Sequence, residues 1–369
     1  MGQSPQGSSY SNSPNGMVLV QGNADLKDGW VSPRVWTTEP TKIADPGDLI
    51  MSVRAPSGAT GRTSLPVVLG RGVAGIKGNE FLFQLLTKMD KDGYWARFST
   101  GSTFDSLNGD VISTAPVEVP SSREQTALGS VLADVDMLTV SSNHRTRYLT
   151  SFKKTMLAKM FPQGTASTPE VRFEEFEGEW ERSELGQVVE SFRYGVNAAA
   201  VPYDGATKYL RITDIDPGAG EFGTGEVTSP GVDPRTADDF LLEDGDLVFA
   251  RTGATVGRSY LYREGVGRTV WAGFLIRAKL VAGSDPDFIS ASVLTPGYWE
   301  YVRMTSQRSG QPGLNSTEYA RLPLWLPSHA EQQAIGAYFR SLDALIDAEQ
   351  KKLDTLRNLK SALLTQMFV

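Results

Sequence analysis

Residues 331–368 read EQQAIGAYFRSLDALIDAEQKKLDTLRNLKSALLTQMF, and residues 124–161 carry a diverged copy, EQTALGSVLADVDMLTVSSNHRTRYLTSFKKTMLAKMF. The copies align without gaps at an offset of 207 residues and share eleven identities. These include an opening Glu-Gln pair, a glycine, an aspartate, a lysine and a closing Met-Phe pair. Because a repeat at fixed spacing reveals the unit from which a fold is built, the chain is predicted to consist of two modules that end in the same element.

Both copies have the apolar spacing of a helix that packs along one face. In the second copy, apolar residues fill six of eight heptad positions, and Glu349 and Lys360 are the polar interruptions. In the first copy, half of the equivalent positions are polar. A 38-residue helix is about 57 Å long, which suits a spacer. We therefore predict two long helices that pair as an antiparallel coiled coil; the alternative is that each helix packs only on its own domain.

A shorter phrase repeats upstream of each helix. Residues 47–62 read GDLIMSVRAPSGATGR, and residues 245–258 read GDLVFARTGATVGR. Short apolar runs between Gly, Pro and Thr predict strands and turns in the rest of each module. The predicted fold class is α+β, with two tandem globular domains of mixed, irregular sheet, each followed by a long helix. The predicted boundaries are 1–123 for the first domain, 124–161 for its helix, 162–170 for a linker, 171–330 for the second domain and 331–369 for its helix.

The repeated phrase has a loop that could contact a ligand. An apolar strand leads to Arg54 or Arg251, a loop of small residues follows, and the phrase ends at Arg62 or Arg258. Glycine and threonine let backbone amides approach a ligand, and the arginines supply charged donors. The alternative is a sheet turn whose arginines face solvent.

Composition excludes several classes of protein. The 369 residues are 40% hydrophobic and 21% charged, as in ordinary globular chains. The sequence has no apolar run of the roughly 18 to 20 residues that span a bilayer and no N-terminal signal pattern, so we expect a cytoplasmic protein without a membrane partner. It has no cysteine and two histidines, which excludes disulfides, thiolate metal sites and a His-rich zinc site.

The net charge leaves a nucleic-acid partner open. The formal charge is -7, but residues 170–190 hold eight acids and two arginines, a net of -6, so the remainder carries -1. We interpret these acids as a solvated lead-in to the second domain. A nearly neutral remainder can still present a basic face to DNA.

The sequence gives little support for a nucleotide-binding or catalytic site. GAGEFG, residues 218–223, matches G-x-G-x-x-G, but turn-forming residues follow it where a dinucleotide site needs a helix, so we interpret it as a turn-rich hairpin. The sequence contains no G-x-x-x-x-G-K-[ST] loop and no Ser-His or Cys-His signature. We therefore expect no catalytic or metal site.

The second helix and its surroundings resemble the DNA-specificity (S) subunit of type I restriction-modification systems. The resemblance rests on that helix, on the preceding PGLNSTEYARLPLWLP, on the module start PEVRFEEFEGEWERSELGQV and on KYLRITDID. The opening GQSPQGSSY is similar to target-recognition domains of the same family. The resemblance covers essentially the whole chain.

The resemblance implies a non-catalytic subunit whose two domains each read one half of a bipartite site in double-stranded DNA. It implies that the helices dock methyltransferase (M) subunits and that restriction (R) subunits join the assembly. S-adenosylmethionine, ATP and Mg would be used by those partners, with no cofactor in this chain. One departure is that the second module has a lead-in at 171–192, whereas the first starts at MGQSP, so about twenty expected residues are missing from its start.

Candidate site residues follow from these interpretations. The predicted DNA contacts lie in polar, Gly-rich loops and are Gln3, Ser9, Tyr10, Arg54, Thr60, Arg62, Tyr194, Thr213, Arg251, Thr252, Thr255, Arg258, Arg308 and Gln311. The predicted residues of the subunit-docking helices are Leu149, Lys153, Met160, Leu342, Ile346, Leu353, Leu356, Lys360, Leu363 and Met367. Two other functions are alternatives: a coiled-coil scaffold whose domains bind a ligand other than DNA, which the acidic charge favours, and an enzyme such as a nuclease or nucleotide-dependent transferase.

Overall fold

The computed structural model of the chain describes residues 1–98, 106–215 and 226–368. Both predicted long helices are present, Ser122–Lys159 (α3) and His329–Met367 (α8). Each begins and ends within two residues of its predicted bounds. The GAGEFG motif at 218–223 lies outside the described residues.

The chain divides into two compact units. Unit 1 comprises Met1–Arg145 and Glu349–Val369, and unit 2 comprises Thr146–Ala348. Each long helix therefore contributes to both units, whereas the predicted boundaries separated the helices from the domains.

The described residues of unit 1 form two small sheets. Its strands are β1 (Tyr10–Ser11), β2 (Met17–Val20), β3 (Leu26–Lys27), β4 (Trp30–Val31), β5 (Trp36–Thr37), β6 (Ile43–Ala44), β7 (Leu49–Ser52), β8 (Thr60–Arg62), β9 (Val67–Leu69) and β10 (Val73–Ile76). Its shorter helices are α1 (Glu80–Lys91) and α2 (Gly109–Ser113). The strand orders are β1-β5-β2-β9-β6 and β10-β7-β8-β4-β3.

Helix α1 connects the second sheet to the long helix. Asn79 caps it by accepting a hydrogen bond from the backbone N of Leu82 at 3.0 Å. Its apolar face, with Phe83 and Leu86, packs on Leu49 and Met51 of β7, and burial of each such side chain contributes about 1.5–3 kcal/mol. Strand β7, which lies in the repeated phrase, and helix α1 therefore share one core.

The two long helices pair antiparallel in unit 1. Asp136 of α3 lies 2.5 Å from Nζ of Lys360, and the hydroxyl of Ser142 donates to Glu349 at 2.9 Å. Arg145 also binds Glu349, at 3.0 Å. Because the α8 numbers fall as the α3 numbers rise, the predicted antiparallel direction is confirmed here, and both predicted polar interruptions have polar partners.

Unit 2 repeats this plan with its strands divided among smaller sheets. Its strands are β11 (Glu181–Glu184), β12 (Val189–Tyr194), β13 (Ala200–Pro202), β14 (Lys208–Leu210), β15 (Thr228–Pro230), β16 (Leu247–Ala250), β17 (Ser259–Leu261), β18 (Thr269–Trp271), β19 (Leu275–Leu280) and β20 (Pro323–Leu326). Its shorter helices are α4 (Pro234–Asp238), α5 (Pro286–Ser292), α6 (Pro296–Thr305) and α7 (Ser316–Ala320). The largest sheet has the order β12-β19-β16-β17, and the pairs β11-β20, β13-β15 and β14-β18 stand beside it.

Helix pairing in unit 2 uses the positions that the repeat duplicates. Lys153 forms an ion pair with Asp343, and the rings of Phe161 and Phe339 are 5.9 Å apart. Lys153 and Asp343 are the repeat equivalents of Lys360 and Asp136. The identities Asp136/Asp343 and Lys153/Lys360 therefore supply the ion pairs that join the helices within each unit.

The repeated phrase forms the same hairpin in both units. In unit 2, β16 pairs antiparallel with β17 and β19. In unit 1, β7 pairs antiparallel with β8 and β10. The loop between the first two strands of each set is the predicted glycine loop, and Gly58, Gly253 and Gly257 adopt positive φ values there.

Candidate nucleic-acid interface

Unit 2 gathers several of the predicted contacts at the hairpin loop. The guanidinium of Arg251 lies 4.8 Å over the ring of Tyr194. The Arg251 carbonyl accepts from the N of Leu314 at 2.9 Å, and Thr252 forms an isolated bridge with Gly313. Tyr194 in turn contacts the Ser316 hydroxyl at 3.3 Å. We call the surface formed by Tyr194, Arg251, Thr252 and residues 307–313 the Arg251 surface.

Two buried tyrosines hold the ends of this loop. The hydroxyl of Tyr319, in α7, donates to the carbonyl of Ala250 at 2.8 Å. The hydroxyl of Tyr298, in α6, donates to the carbonyl of Gly257. Burial raises the pKa of both tyrosines well above the usual value, so both hydroxyls remain protonated donors. Sequence reasoning missed this pair, although Tyr319 lies within the recognised PGLNSTEYARLPLWLP motif.

Arg308 and Gln311 lie exposed on the Arg251 surface. Arg308 forms an ion pair with Glu318 and donates to the carbonyls of Thr305 and Gln307 at 2.8 and 2.9 Å. Glu318 also caps the start of α7 by accepting from the N of Asn315 at 2.9 Å. The loop that carries both predicted residues is therefore held in one conformation beside Arg251.

Three other predicted residues of unit 2 occupy different positions. The Thr255 hydroxyl donates to the carbonyl of Thr252 at 3.3 Å, inside the loop. Arg258 is half-buried and donates to the carbonyl of Ile215 at 3.2 Å. Thr213 is exposed beside Asp214 at 3.1 Å. The Arg258 contact therefore places the segment that carries Thr213 next to the hairpin.

In unit 1, three predicted residues lie near strand β5. The Ser9 hydroxyl is 2.9 Å from that of Thr37, and Thr41 donates to the carbonyl of Gln3. Tyr10 pairs with Thr37 across β1 and β5. Gln3 is exposed, whereas Ser9 and Tyr10 are half-buried. This group is a polar edge of the first sheet.

The hairpin residues of unit 1 differ in their exposure. Arg54 is exposed, and the Thr60 hydroxyl donates to the Gly58 carbonyl at 3.1 Å within the loop. Arg62, by contrast, has a side chain that is only 12% exposed and forms an ion pair with Glu80. Its guanidinium also lies 4.0 Å over the ring of Phe83. Its position is that of a packing residue, and a DNA contact by Arg62 stays a prediction.

The residues predicted for subunit docking lie along the helix pair. Lys153, Met160, Leu342 and Leu353 are buried within this chain. The half-buried members of the set are Leu149, Ile346, Leu356, Lys360, Leu363 and Met367. These residues stabilise the pairing of α3 and α8, and their docking of another subunit stays a prediction.

Other apolar residues of the long helices face solvent. Met137 is 64% exposed and Tyr148 is 67% exposed. Leu138 and its repeat equivalent Leu345 are exposed as well. The sequence signal that could have found them is the Leu138/Leu345 identity, which falls outside the heptad positions.

Neither a metal-binding cluster nor a membrane-spanning helix occurs in the part of the chain that the structure describes. It contains no cluster of three or more His, Cys, Asp or Glu side chains suited to a metal ion. Within the same residues, no helix combines the length and the apolar character that crossing a bilayer requires.

In sequence, the chain is similar to specificity subunits of type I restriction enzymes. It is 31% identical over 144 residues to a Methanocaldococcus jannaschii protein named as the type I restriction enzyme MjaX specificity subunit. It is 20% identical over 301 residues to the type I restriction enzyme MjaVIII specificity subunit of the same organism. These alignments cover 37% and 74% of this chain, and 33% and 66% of the two relatives. No protein-family model matches the chain.

Solved structures share the fold. The S subunit of a type I restriction-modification system from M. genitalium superposes with a TM-score of 0.65, at 15% identity, over 100% of this chain and 92% of that one. A chain from a structure of type I R-M complex assembly superposes with a TM-score of 0.51, also at 15% identity, over 97% and 90%. The chain is therefore similar in sequence to specificity subunits of type I restriction enzymes, and it shares the fold of solved S subunits.

Proposed function

We propose that the chain is a DNA-specificity subunit whose two units each read one half of a bipartite site. The observation that carries the proposal is the Arg251 surface, where Arg251 is held against Tyr194 beside an exposed loop that carries Arg308 and Gln311. Arginine and glutamine are side chains that form bidentate contacts with guanine and adenine in the major groove. Backbone hydrogen bonds fix the ends of this loop, because the N of Gly253 donates to the carbonyl of Pro312 and the N of Gly313 donates to that of Ser306, so less conformational entropy is lost on binding.

Methylation and cleavage belong to partner subunits in this proposal. S-adenosylmethionine would be bound by the methyltransferase (M) subunits, and ATP and Mg by the restriction (R) subunits. The long helices support this division, since each unit has exposed apolar residues on them that could contact another protein, Met137 and Leu138 in unit 1 and Leu345 in unit 2. The chain itself acts as a non-catalytic reader.

The test starts from the complex with the cognate methyltransferase subunit. Mapping of adenine methylation in cells that express this complex should give a bipartite motif. The affinity of the purified complex for that site and for random duplexes is then measured at 50 to 200 mM salt. Binding that is equal on both DNAs, or absent, would favour the scaffold alternative.

Arg251→Ala in the assembled complex tests the Arg251 surface. We expect a loss of about 1–3 kcal/mol of discrimination if Arg251 contacts a base. If it contacts a phosphate, we expect a salt slope that is smaller by about one. The control is Arg182→Ala, which removes an exposed arginine from β11. If the two variants bind alike, the assignment of Arg251 is wrong.

A further inference from the structure

An exposed phenylalanine lies beside Arg251 in unit 2. Phe274 is 57% exposed and stands in the turn that leads into β19. The N of Arg251 donates to the carbonyl of Phe274 at 3.1 Å, one residue beyond the last register pair of β16 and β19. Tyr194 ends β12, which pairs with the other side of β19. The phenylalanine therefore lies at the same end of the sheet as the Arg251 surface.

The backbone that carries this ring is fixed on both sides. The N of Leu275 donates to the carbonyl of Ala272 at 2.8 Å, which closes a four-residue turn around Phe274. Ala272 also forms an isolated bridge with Val196. Ala272 is 5% exposed and Leu275 is 0% exposed. Because buried, hydrogen-bonded residues stand before and after it, the exposed ring is presented from a rigid turn.

Unit 1 builds the same turn without an aromatic side chain. The N of Val73 closes it by donating to the carbonyl three residues earlier at 3.2 Å, and the N of Val53 donates to the carbonyl of Gly72 at 2.9 Å. The register of β10 on β7 makes Gly72 the equivalent of Phe274. By the same register, Val53 is the equivalent of Arg251. The turn does not need the ring to form, so the ring and the arginine beside it are particular to unit 2.

The chemistry of this corner suits the major groove of duplex DNA. The guanidinium of Arg251 lies over the ring of Tyr194 and forms no ion pair with a carboxylate among the described residues. An arginine with free donors can bind guanine or phosphate. The C5-methyl group of thymine is the apolar group that base pairs present in the major groove, and phenylalanine is one of the side chains that contact it.

We propose that Phe274 contacts the C5-methyl group of a thymine in the half-site that unit 2 reads. This contact rests on the proposed function, since it forms only if unit 2 binds DNA. It removes the methyl group and part of the ring from water, which favours thymine over cytosine at that position. Because unit 1 has Gly72 in the equivalent place, the contact is confined to one half-site.

The probe is a set of duplexes that carry the bipartite motif, with each thymine replaced in turn by uracil. Uracil keeps the pairing groups of thymine and lacks its C5-methyl group. The dissociation constant is measured for the complex with the methyltransferase subunit. At one thymine of one half-site, we expect uracil to weaken binding about fourfold, the value for one buried methyl group.

Phe274→Ala in the same complex completes a double-mutant cycle. The variant should weaken binding to the unaltered duplex by at least the same factor, and uracil at that thymine should then cost nothing further. The salt slope should not change, because an apolar contact releases no counterions. Phe274→Leu, which keeps an apolar side chain, should retain part of the uracil penalty. Tyr203→Ala, which removes another exposed aromatic side chain of unit 2, should retain all of it.

The outcomes separate this contact from the proposed function. Specific binding with a half-site that lacks A·T pairs, or with uracil penalties that Phe274→Ala leaves unchanged, would overturn the contact and leave the DNA-reading function standing. Equal binding of the unaltered complex to the motif and to random duplexes would overturn both. If Phe274→Ala weakened assembly with the methyltransferase subunit and left DNA affinity unchanged, the ring would belong to a protein interface and the proposal would be wrong.

Discussion

Gly336 offers a test of how closely each domain packs on the long helices. A Cβ at this position would lie 2.2 Å from Oδ1 of Asp285 and 2.9 Å from the backbone N of Phe288. Asp285 Oδ1 caps α5 by accepting from that same N at 2.8 Å. Alanine at position 336 would therefore displace the cap and push α5 away from α8.

The sign of the Gly336→Ala effect depends on three magnitudes. Alanine gains about 1 kcal/mol over glycine in a helix interior. Overpacking costs about 1–3 kcal/mol, and a lost cap costs about 0.5–2 kcal/mol. The costs exceed the gain, so we expect a net loss of about 0.5–4 kcal/mol in the free energy of unfolding. In a protein without these contacts, the same substitution would be stabilising.

Urea unfolding followed by circular dichroism measures the change. The control is Gly297→Ala in α6, where a Cβ would meet nothing within 4 Å, so we expect a gain of up to about 1 kcal/mol. Gly129→Ala, whose Cβ would lie 2.9 Å from the N of Phe81, should lower stability less than Gly336→Ala. If Gly336→Ala proved as stable as the unaltered chain while Gly297→Ala gained stability, the close packing of α5 on α8 would be refuted.

Two further predictions concern buried charges. Arg62→Met should lower the melting temperature of unit 1, because Glu80 loses its ion pair and the cation-π contact with Phe83 disappears. The expected cost is about 1–3 kcal/mol. A changed salt slope of DNA binding with unchanged stability would instead favour a contact of Arg62 with phosphate. Burial raises the pKa of Asp343, and Lys153 only partly opposes this shift. Because the folded pKa exceeds the unfolded one, this contribution to stability is fully present below the unfolded pKa and is lost as pH rises through the folded pKa. As pH rises from the unfolded to the folded pKa of Asp343, the unaltered chain should therefore lose unfolding free energy relative to the Asp343→Asn variant. Unfolding experiments at a series of pH values measure this loss. A difference between the two chains that does not change with pH would contradict the raised pKa.

Periodicity and the internal repeat were enough to predict the long helices, their antiparallel pairing and the repeated hairpin. Heptad spacing depends only on residues close in the chain, and an identity such as Gly129/Gly336 marks a position that both modules use. These features are local or repeated, so they can be recognised without coordinates.

Contacts between distant segments were decided only by the tertiary structure. Arg62 and Arg258 end the two phrases, yet Arg62 is enclosed by Glu80 and Phe83 whereas Arg258 donates to the carbonyl of Ile215. The sequence cannot separate these outcomes, because each depends on which side chain the fold brings across from elsewhere in the chain. The same holds for Tyr298 and Tyr319, which lie far along the chain from the hairpin loop whose ends they bind.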